Sequence, residues 1–344
     1  MRIRTNSSNN TVYADADGVI GYYHGNYIPK RDTAFDWSQP VDGSNPATEW
    51  QGLHTLEEMV TSFNPETGWL QNCNATPFTV AGYEHSPKRE DYPTYMAPDL
   101  ENFRGLHAMK VLDGQTNFTT EKLMEAAYDT YLTGFEKFVP ALVKAYETSA
   151  SGEAKNQLKE AIDLLGKWDL RYSLESVETS LAVYSGQNLI RTAFSDPNRG
   201  GASVYEYFLT GTTDQQKLEA LQQAISTLEE DFGSWKTPWG EINRYQRLNG
   251  DIRQPFNDDE PSLPVDFASG RWGSLASFGS RTYPGTKKMY GTGGNSFVAF
   301  VEFGEKVKAK SILTGGQSGD PASPHFDDQA EMYTKAQFKD VRFY

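Results

Sequence analysis

The chain has a single cysteine, Cys73, among 344 residues, which excludes an internal disulfide framework and any multi-thiolate zinc site. It has no run of about 18 apolar residues, so no membrane-spanning helix is expected. Basic residues are in deficit: 32 Lys and Arg stand against 46 Asp and Glu, a formal charge of −14. Spread without a dominant block, that excess repels phosphate backbones and anionic lipid, so neither nucleic acid nor a membrane is expected as a partner. Also missing are a G-x-G-x-x-G turn, a P-loop, an H-E-x-x-H helix, a G-x-S-x-G elbow and an S-x-x-K box. Nucleotide binding, zincin chemistry and the common serine-hydrolase arrangements therefore lack support. The opening stretch MRIRTNSSNNTVYADADG carries charge with no apolar segment behind it, unlike a secretory signal.

What is present suffices for a folded protein. The chain is 38% hydrophobic and 13% aromatic, enough for a sizeable core. Residues 1–100 read as strands and turns. Thr11–Asp15 and Val19–Tyr23 flank Ala16-Asp17-Gly18, a hairpin signal because Asp-Gly supplies the positive-φ positions of a tight turn. A polar loop spans Pro29–Gln51, and Gly68–Leu70 reads as a short strand. Residues 101–235 are mainly helical. Within them the periodicity predicts one helix over Phe118–Glu147, ended or kinked at Pro140. Thr213 with Gln216 reads as a capping box, followed by an apolar stripe of Leu218, Leu221, Ile225 and Leu228. These helices are expected to cover a sheet face rather than one another. Residues 236–344 return to strands, at Ile242–Leu248, Gly273–Ser280, Ser296–Phe303 and Val307–Leu313, with a C-terminal helix. Strands, then helices, then strands make an α+β architecture, and with no repeat or linker the chain is not divided further.

Four groups of residues carry candidate chemistry. In GWLQNCNATPF, Asn72 and Asn74 flank Cys73 at the predicted strand end. A side-chain amide NH₂ is a neutral donor that can stabilise an oxyanion without the desolvation cost of a buried cation. Asparagine is also common turn chemistry, since it tolerates left-handed backbone, and spacing leaves both readings open. Cys73 could be a nucleophile, but no Cys/His signature surrounds it, and a small residue at a strand end is the alternative. Arg104, in PDLENFRGLHAMKVL, could brace an asparagine carbonyl or pair with Asp99 or Glu101. His325, in GGQSGDPASPHFDDQ, suggests acid–base work or a metal beside Asp327 and Asp328, although adjacent carboxylates in extended chain point opposite ways and Asp327 could instead cap the helix through Ala330, Met332 and Tyr333. The acidic run NDDEP, Asn257–Pro261, lacks EF-hand spacing and reads as a solvated turn.

Taken in order, YADADGVIGYYHGN, WQGL, FNPETGWLQNCNATPF, ENFRG, GGNSF and GQSGDPASPHFDDQ resemble the penicillin acylase family of N-terminal nucleophile amidases. The resemblance runs from about Tyr13 to Phe343 and corresponds to the C-terminal part of that family's β-chain. It implies part of an αββα sandwich with a helical insertion. It also implies a reaction in which an α-amino-terminal serine attacks an amide carbonyl with its own amine as base. The second asparagine of the family's N-x-N falls on Asn74, as oxyanion donor, and its supporting arginine on Arg104. A structural calcium is common there, with Asp99 the nearest match to one ligand. The nucleophile, the upstream β-chain segment and the α-chain would precede Met1, because Ser7 and Ser8 do not match the nucleophile segment. This chain alone is then expected to be inert. The implied substrate is a small amide: a β-lactam side chain, an acyl-homoserine lactone or a lipopeptide. The implied location is the periplasm or beyond. Asn74-Ala75-Thr76 is also a glycosylation acceptor pattern, and a glycan there would block the site, a conflict that a bacterial source avoids. Two other classes remain at this point: a non-catalytic glycan- or peptide-binding module, and a glycosidase pairing carboxylates among Asp258, Asp259, Asp327 and Asp328.

Overall fold

The computed structural model describes residues 9–25, 27–200 and 203–343; Ser7 and Ser8 lie outside them. The chain divides into two compact units, 1–127 with 301–308, and 128–300 with 309–344.

In the first unit, β1 (Thr11–Ala14) and β2 (Ile20–Tyr23) form the expected hairpin, paired from Thr11 opposite Tyr23 to Ala14 opposite Ile20. Gly18 supplies the positive φ of the turn, +81°, and the Asp15 carboxylate accepts from the backbone of Asp17 and Val19. A third antiparallel strand, β3 (Thr61–Phe63), pairs with β2. The rest is mostly loop, held by two small cores: Tyr22 with Val80 and Ala81, and Val60 with Met96 and Ala97. The expected strand at Gly68–Leu70 does not form. Gly68 has φ +72°, and its N–H closes a turn on Pro65 O at 2.9 Å. The next residue after the segment, Gln71, donates its N–H to Val80 O at 2.9 Å, and among the described residues no neighbouring strand pairs with the segment. The unit also holds the short helix α1 (Gly82–His85), then α2 (Phe103–Leu112) and α3 (Thr120–Ala127).

The second unit is built on α4 (Phe135–Ser149), α5 (Gly152–Leu165), α6 (Val177–Ser195), α7 (Val204–Thr210), α8 (Asp214–Phe232) and the one-turn α9 (Trp239–Ile242). The single helix expected over Phe118–Glu147 is two, and the break falls at residues 128–134 instead of at Pro140. The backbone there is drawn into other bonds: Leu132 N to Leu170 O, Tyr172 N to Thr130 O and Gly134 N to Trp272 O. Pro140 lies inside α4. Interior proline costs about 3 kcal/mol. Burying Phe135, Phe138 and Leu142 on the same helix, at about 1.5–3 kcal/mol each, offsets that cost.

The capping box of α8 forms as expected, Thr213 Oγ1 accepting from Gln216 N and Gln216 Oε1 from Thr213 N, and its stripe is buried. The helices pack mainly on one another, α6 and α4 both against α8, not across a sheet. At Gly186 a Cβ would stand 2.6 Å from the Trp272 ring. That glycine lets Trp272 enter the helical core and stack on Phe135 at 4.9 Å.

The remaining strands are short: β4 (Asn243–Tyr245), β5 (Leu263–Pro264), β6 (Phe278–Arg281), β7 (Met289–Gly294), β8 (Phe297–Glu302), β9 (Lys308–Leu313) and β10 (Lys339–Asp340). They form one sheet in the order β5-β4-β7-β6 and another in the order β10-β9-β8. β5, β7 and β10 fall outside the segments that read as strands in the sequence, and Gly273–Ser277 is turn rather than strand. α10 (Ala330–Thr334) is the expected late helix. Its cap residue is Gln329, and Asp327 contributes only its carbonyl, so the expected Asp327 side-chain cap does not form.

Candidate active site

Asn74 sits at φ +55°, in the left-handed region that asparagine tolerates. The turn reading of this residue therefore holds, and the side chain does more. Helix α2 begins at Phe103 behind its cap Asn102, whose Oδ1 accepts from Gly105 N at 3.0 Å. The Asn102 NH₂ meanwhile donates to the carbonyls of Cys73 and Asn74, both at 3.1 Å. One side chain thus starts the helix and ties the turn to it. Close approach requires Gly105, since a Cβ there would stand 2.9 Å from that of Ala75.

This docking sets Arg104 beside Asn74, with Nη2 donating to Asn74 Oδ1 at 2.9 Å. A guanidinium has only donors, so the asparagine must present its oxygen to it, and its NH₂ turns the other way. Among the described residues that NH₂ has no hydrogen-bond partner. Asn74 lines a cleft of about 660 Å³, together with Asn10, Asn72, His24, Tyr95 and Asp99. The alternative pairing of Arg104 with Asp99 or Glu101 is not adopted. Glu101 accepts from Thr79 Oγ1 at 2.6 Å and from Asn102 N at 2.9 Å. Asn72 takes a long contact from Asn10 Nδ2 to its Oδ1, 3.5 Å, on the same wall.

Asp99 faces His24, Oδ2 to Nε2 3.6 Å, too long for a hydrogen bond. His24 is buried and accepts or donates at 3.1 Å with the Tyr22 hydroxyl. Burial pushes the imidazole below its ordinary value against an opposing pull from Asp99, which favours the neutral ring. Sequence reasoning passed over both His24 and Asn102; an asparagine directly before F-R-G was a readable cap signal. A calcium ion takes about six to eight oxygen ligands. Among the described residues Asp99 is the only carboxylate lining this cleft, and no group of three His, Cys, Asp or Glu could hold a metal. The donors present do not by themselves fit calcium.

Burial raises the Cys73 thiol to about 11, with Arg104 opposing and Glu101 adding to the shift, so thiolate is scarce near neutrality. His325 belongs to the other unit, is largely exposed, and its Nδ1 lies 2.8 Å from Asp328 Oδ2. Asp258 is engaged by Lys287 N at 2.7 Å and the Tyr290 hydroxyl at 2.8 Å. NDDEP is accordingly a latched turn, with Gln246 Nε2 donating to three of its carbonyls. No helix of the described residues is long and apolar enough to cross a membrane.

Similar proteins bear on this site. The chain is 27% identical over 168 residues to a penicillin G acylase of Escherichia coli, an alignment covering 46% of this chain and 18% of that one. It is 26% identical over 235 residues to an aculeacin-A acylase of Actinoplanes utahensis, covering 66% and 28%. It is 22% identical over 381 residues to an acyl-homoserine lactone acylase of Pseudomonas fluorescens, covering 96% and 43%. The matched part is thus under half the length of each of these relatives. A thermostable penicillin G acylase from Alcaligenes faecalis, in an orthorhombic crystal form, shares the fold with a TM-score of 0.59 at 18% identity, covering 97% of this chain and 64% of that one. A family model described as penicillin amidase matches residues 1–344, and the chain belongs to that family.

Proposed function

We propose that this chain supplies the oxyanion-binding part of an amidohydrolase that cleaves the acyl–amide bond of a small amide. The observation that carries the reading is the Arg104–Asn74 contact, which leaves an amide NH₂ without a partner on a cleft wall. In the reaction, a serine hydroxyl oxygen bonds to the amide carbon while its proton passes to a base, and the carbonyl oxygen gains negative charge. The Asn74 NH₂ donates to that oxygen. Arg104 keeps the amide from flipping and adds a positive charge behind it. Collapse of the tetrahedral intermediate expels the amine, which takes the proton, and water then releases the acid.

The serine, an amino-terminal residue in this reading, comes from a segment upstream of the chain. That segment and a separate α-chain are the partners, and together they would complete an αββα sandwich. The names of the relatives support three substrate classes: a β-lactam side chain, an acyl-homoserine lactone and a lipopeptide. In this reading the mature enzyme works in the periplasm or outside the cell. Any calcium would draw most of its ligands from outside this chain.

The test is to express the chain with its upstream coding sequence and assay the processed protein on acyl anilides, acyl-homoserine lactones and a lipopeptide. Hydrolysis of one class by the complete protein, and none by the 344-residue chain, is expected. Failure of a correctly processed protein on all three would overturn the proposal in favour of an inactive descendant or a binding module.

A further inference from the structure

The second unit holds another cavity, of about 750 Å³, within the usual range of small-ligand pockets at about 300–1,000 Å³. Its walls come from the end of β4, the loop over residues 251–256, and the neighbouring β6 and β7. The charge on those walls is the reverse of the chain's: Arg247, Arg253 and Arg281 face one carboxylate, Asp251, in a protein with 46 acidic and 32 basic residues. Asp251 is itself taken up by Asn249, whose NH₂ donates to Oδ2 at 3.0 Å.

The arginines are set up differently. Arg247 is fixed, donating to Ser318 O at 2.9 Å and to Phe326 O, with its guanidinium 4.1 Å from the Phe326 ring centre. Carbonyl dipoles orient it without neutralising it. Arg281 lies 4.8 Å over Tyr283. Among the described residues neither Arg253 nor Arg281 forms an ion pair, although an acidic surface offers many carboxylates. Aromatic rings supply the other half of the chemistry. Phe256 packs 4.6 Å from Tyr283 and stacks on Tyr290 at 5.0 Å, with planes 7° apart.

We infer that this cavity is a binding site for a small aromatic carboxylate, its anion between the arginines and its ring against Phe256 and Tyr283. Guanidinium forks match carboxylate geometry, and the ring faces match an aryl group. The inference is independent of the oxyanion reading of Asn74.

The experiment uses the purified 344-residue chain, titrated in low salt with benzoate, with its uncharged isostere benzamide and with inorganic phosphate. Binding is followed by aromatic-proton NMR line broadening and by calorimetry. Benzoate is expected to bind with Kd about 1 mM or tighter. Benzamide and phosphate should each bind about 10-fold or more weakly, because each lacks one half of the match. The double variant Arg253→Ala/Arg281→Ala alters two exposed side chains. It should melt at the parent temperature and lose benzoate affinity by about 10-fold or more, and Arg281→Lys should recover only part of that loss. Absence of benzoate binding, equal binding of benzamide or phosphate, or undiminished affinity in the double variant would each overturn the inference.

Discussion

Arg104 donates to the side-chain oxygen of Asn74 at 2.9 Å across 30 positions of sequence. That bond fixes which end of the amide points away, and so turns a left-handed turn residue into an oriented donor. Replacing Arg104 with alanine frees the amide to rotate but does not remove it. In the assembled enzyme kcat should fall about 10-fold with KM little changed, less than the ~10²–10³ lost when an oxyanion donor is deleted. If Arg104 acts through Asn74, adding Arg104→Ala to Asn74→Ala should cost little more, and a double-mutant cycle measures this.

Asn102 has two tasks, capping α2 and tying down the carbonyls of Cys73 and Asn74. Asn102→Ala should destabilise the chain by about 1–2 kcal/mol, the range for losing a side-chain cap, read as a shifted urea midpoint. Asn102→Asp keeps the cap and loses both carbonyl bonds. It should retain most of the stability while lowering turnover in the assembled enzyme, which separates the two tasks.

Cys73 lies one residue from the proposed donor, yet burial holds its thiol at about 11, against an ordinary value of 9.0. The thiolate fraction at pH 8 is then about 100-fold below that of an ordinary cysteine, and alkylation by iodoacetamide should slow in proportion. Cys73→Ser should retain activity in the assembled enzyme. Rapid labelling at pH 8, or a large loss of turnover on that substitution, would reinstate the thiol as a functional group.

How much of this was legible in sequence depends on the kind of signal. Local signals survived: the Asp17-Gly18 hairpin, the Thr213–Gln216 box and its buried stripe all form. The Asn74–Arg104 pair was reached through a resemblance in ordered motifs, since nothing local distinguishes Asn74 from an ordinary turn asparagine. Long-range effects were hidden. Pro140 reads as a helix breaker, but residues 128–134 leave the helix because Leu170, Tyr172 and Trp272 supply their backbone bonds. Strand β7, MYGTGG, has too much glycine to read as a strand and is held by its neighbours β4 and β6. His24 went unnoticed because its place on the cleft wall is set by residues far along the chain.

Asp266 carries a pH dependence. Burial raises its carboxyl to about 6 from 3.8, and Oδ1 is buried with no hydrogen-bond partner among the described residues. A folded-state value above the unfolded one means the native state holds the extra proton. That contribution to stability is complete below 3.8 and is lost as pH rises through about 6. A shift of roughly two units corresponds to about 1–3 kcal/mol. Asp266→Asn should remove this decline, so that the variant is more stable than the parent at pH 7.5 and similar to it at pH 4, as urea unfolding across that range would measure. An unchanged slope between pH 4 and 6.5 would show that Asp266 stays ionised in the fold.

The central claim is that the Asn74 amide stabilises negative charge on the substrate oxygen, and steady-state kinetics of Asn74→Ala in the complete, processed enzyme test it most directly. The account predicts a kcat lower by about 10² or more, with KM changed by no more than about 3-fold and the melting temperature preserved. A kcat within about 2-fold of the parent would contradict it and leave Asn74 as a turn residue held by Arg104.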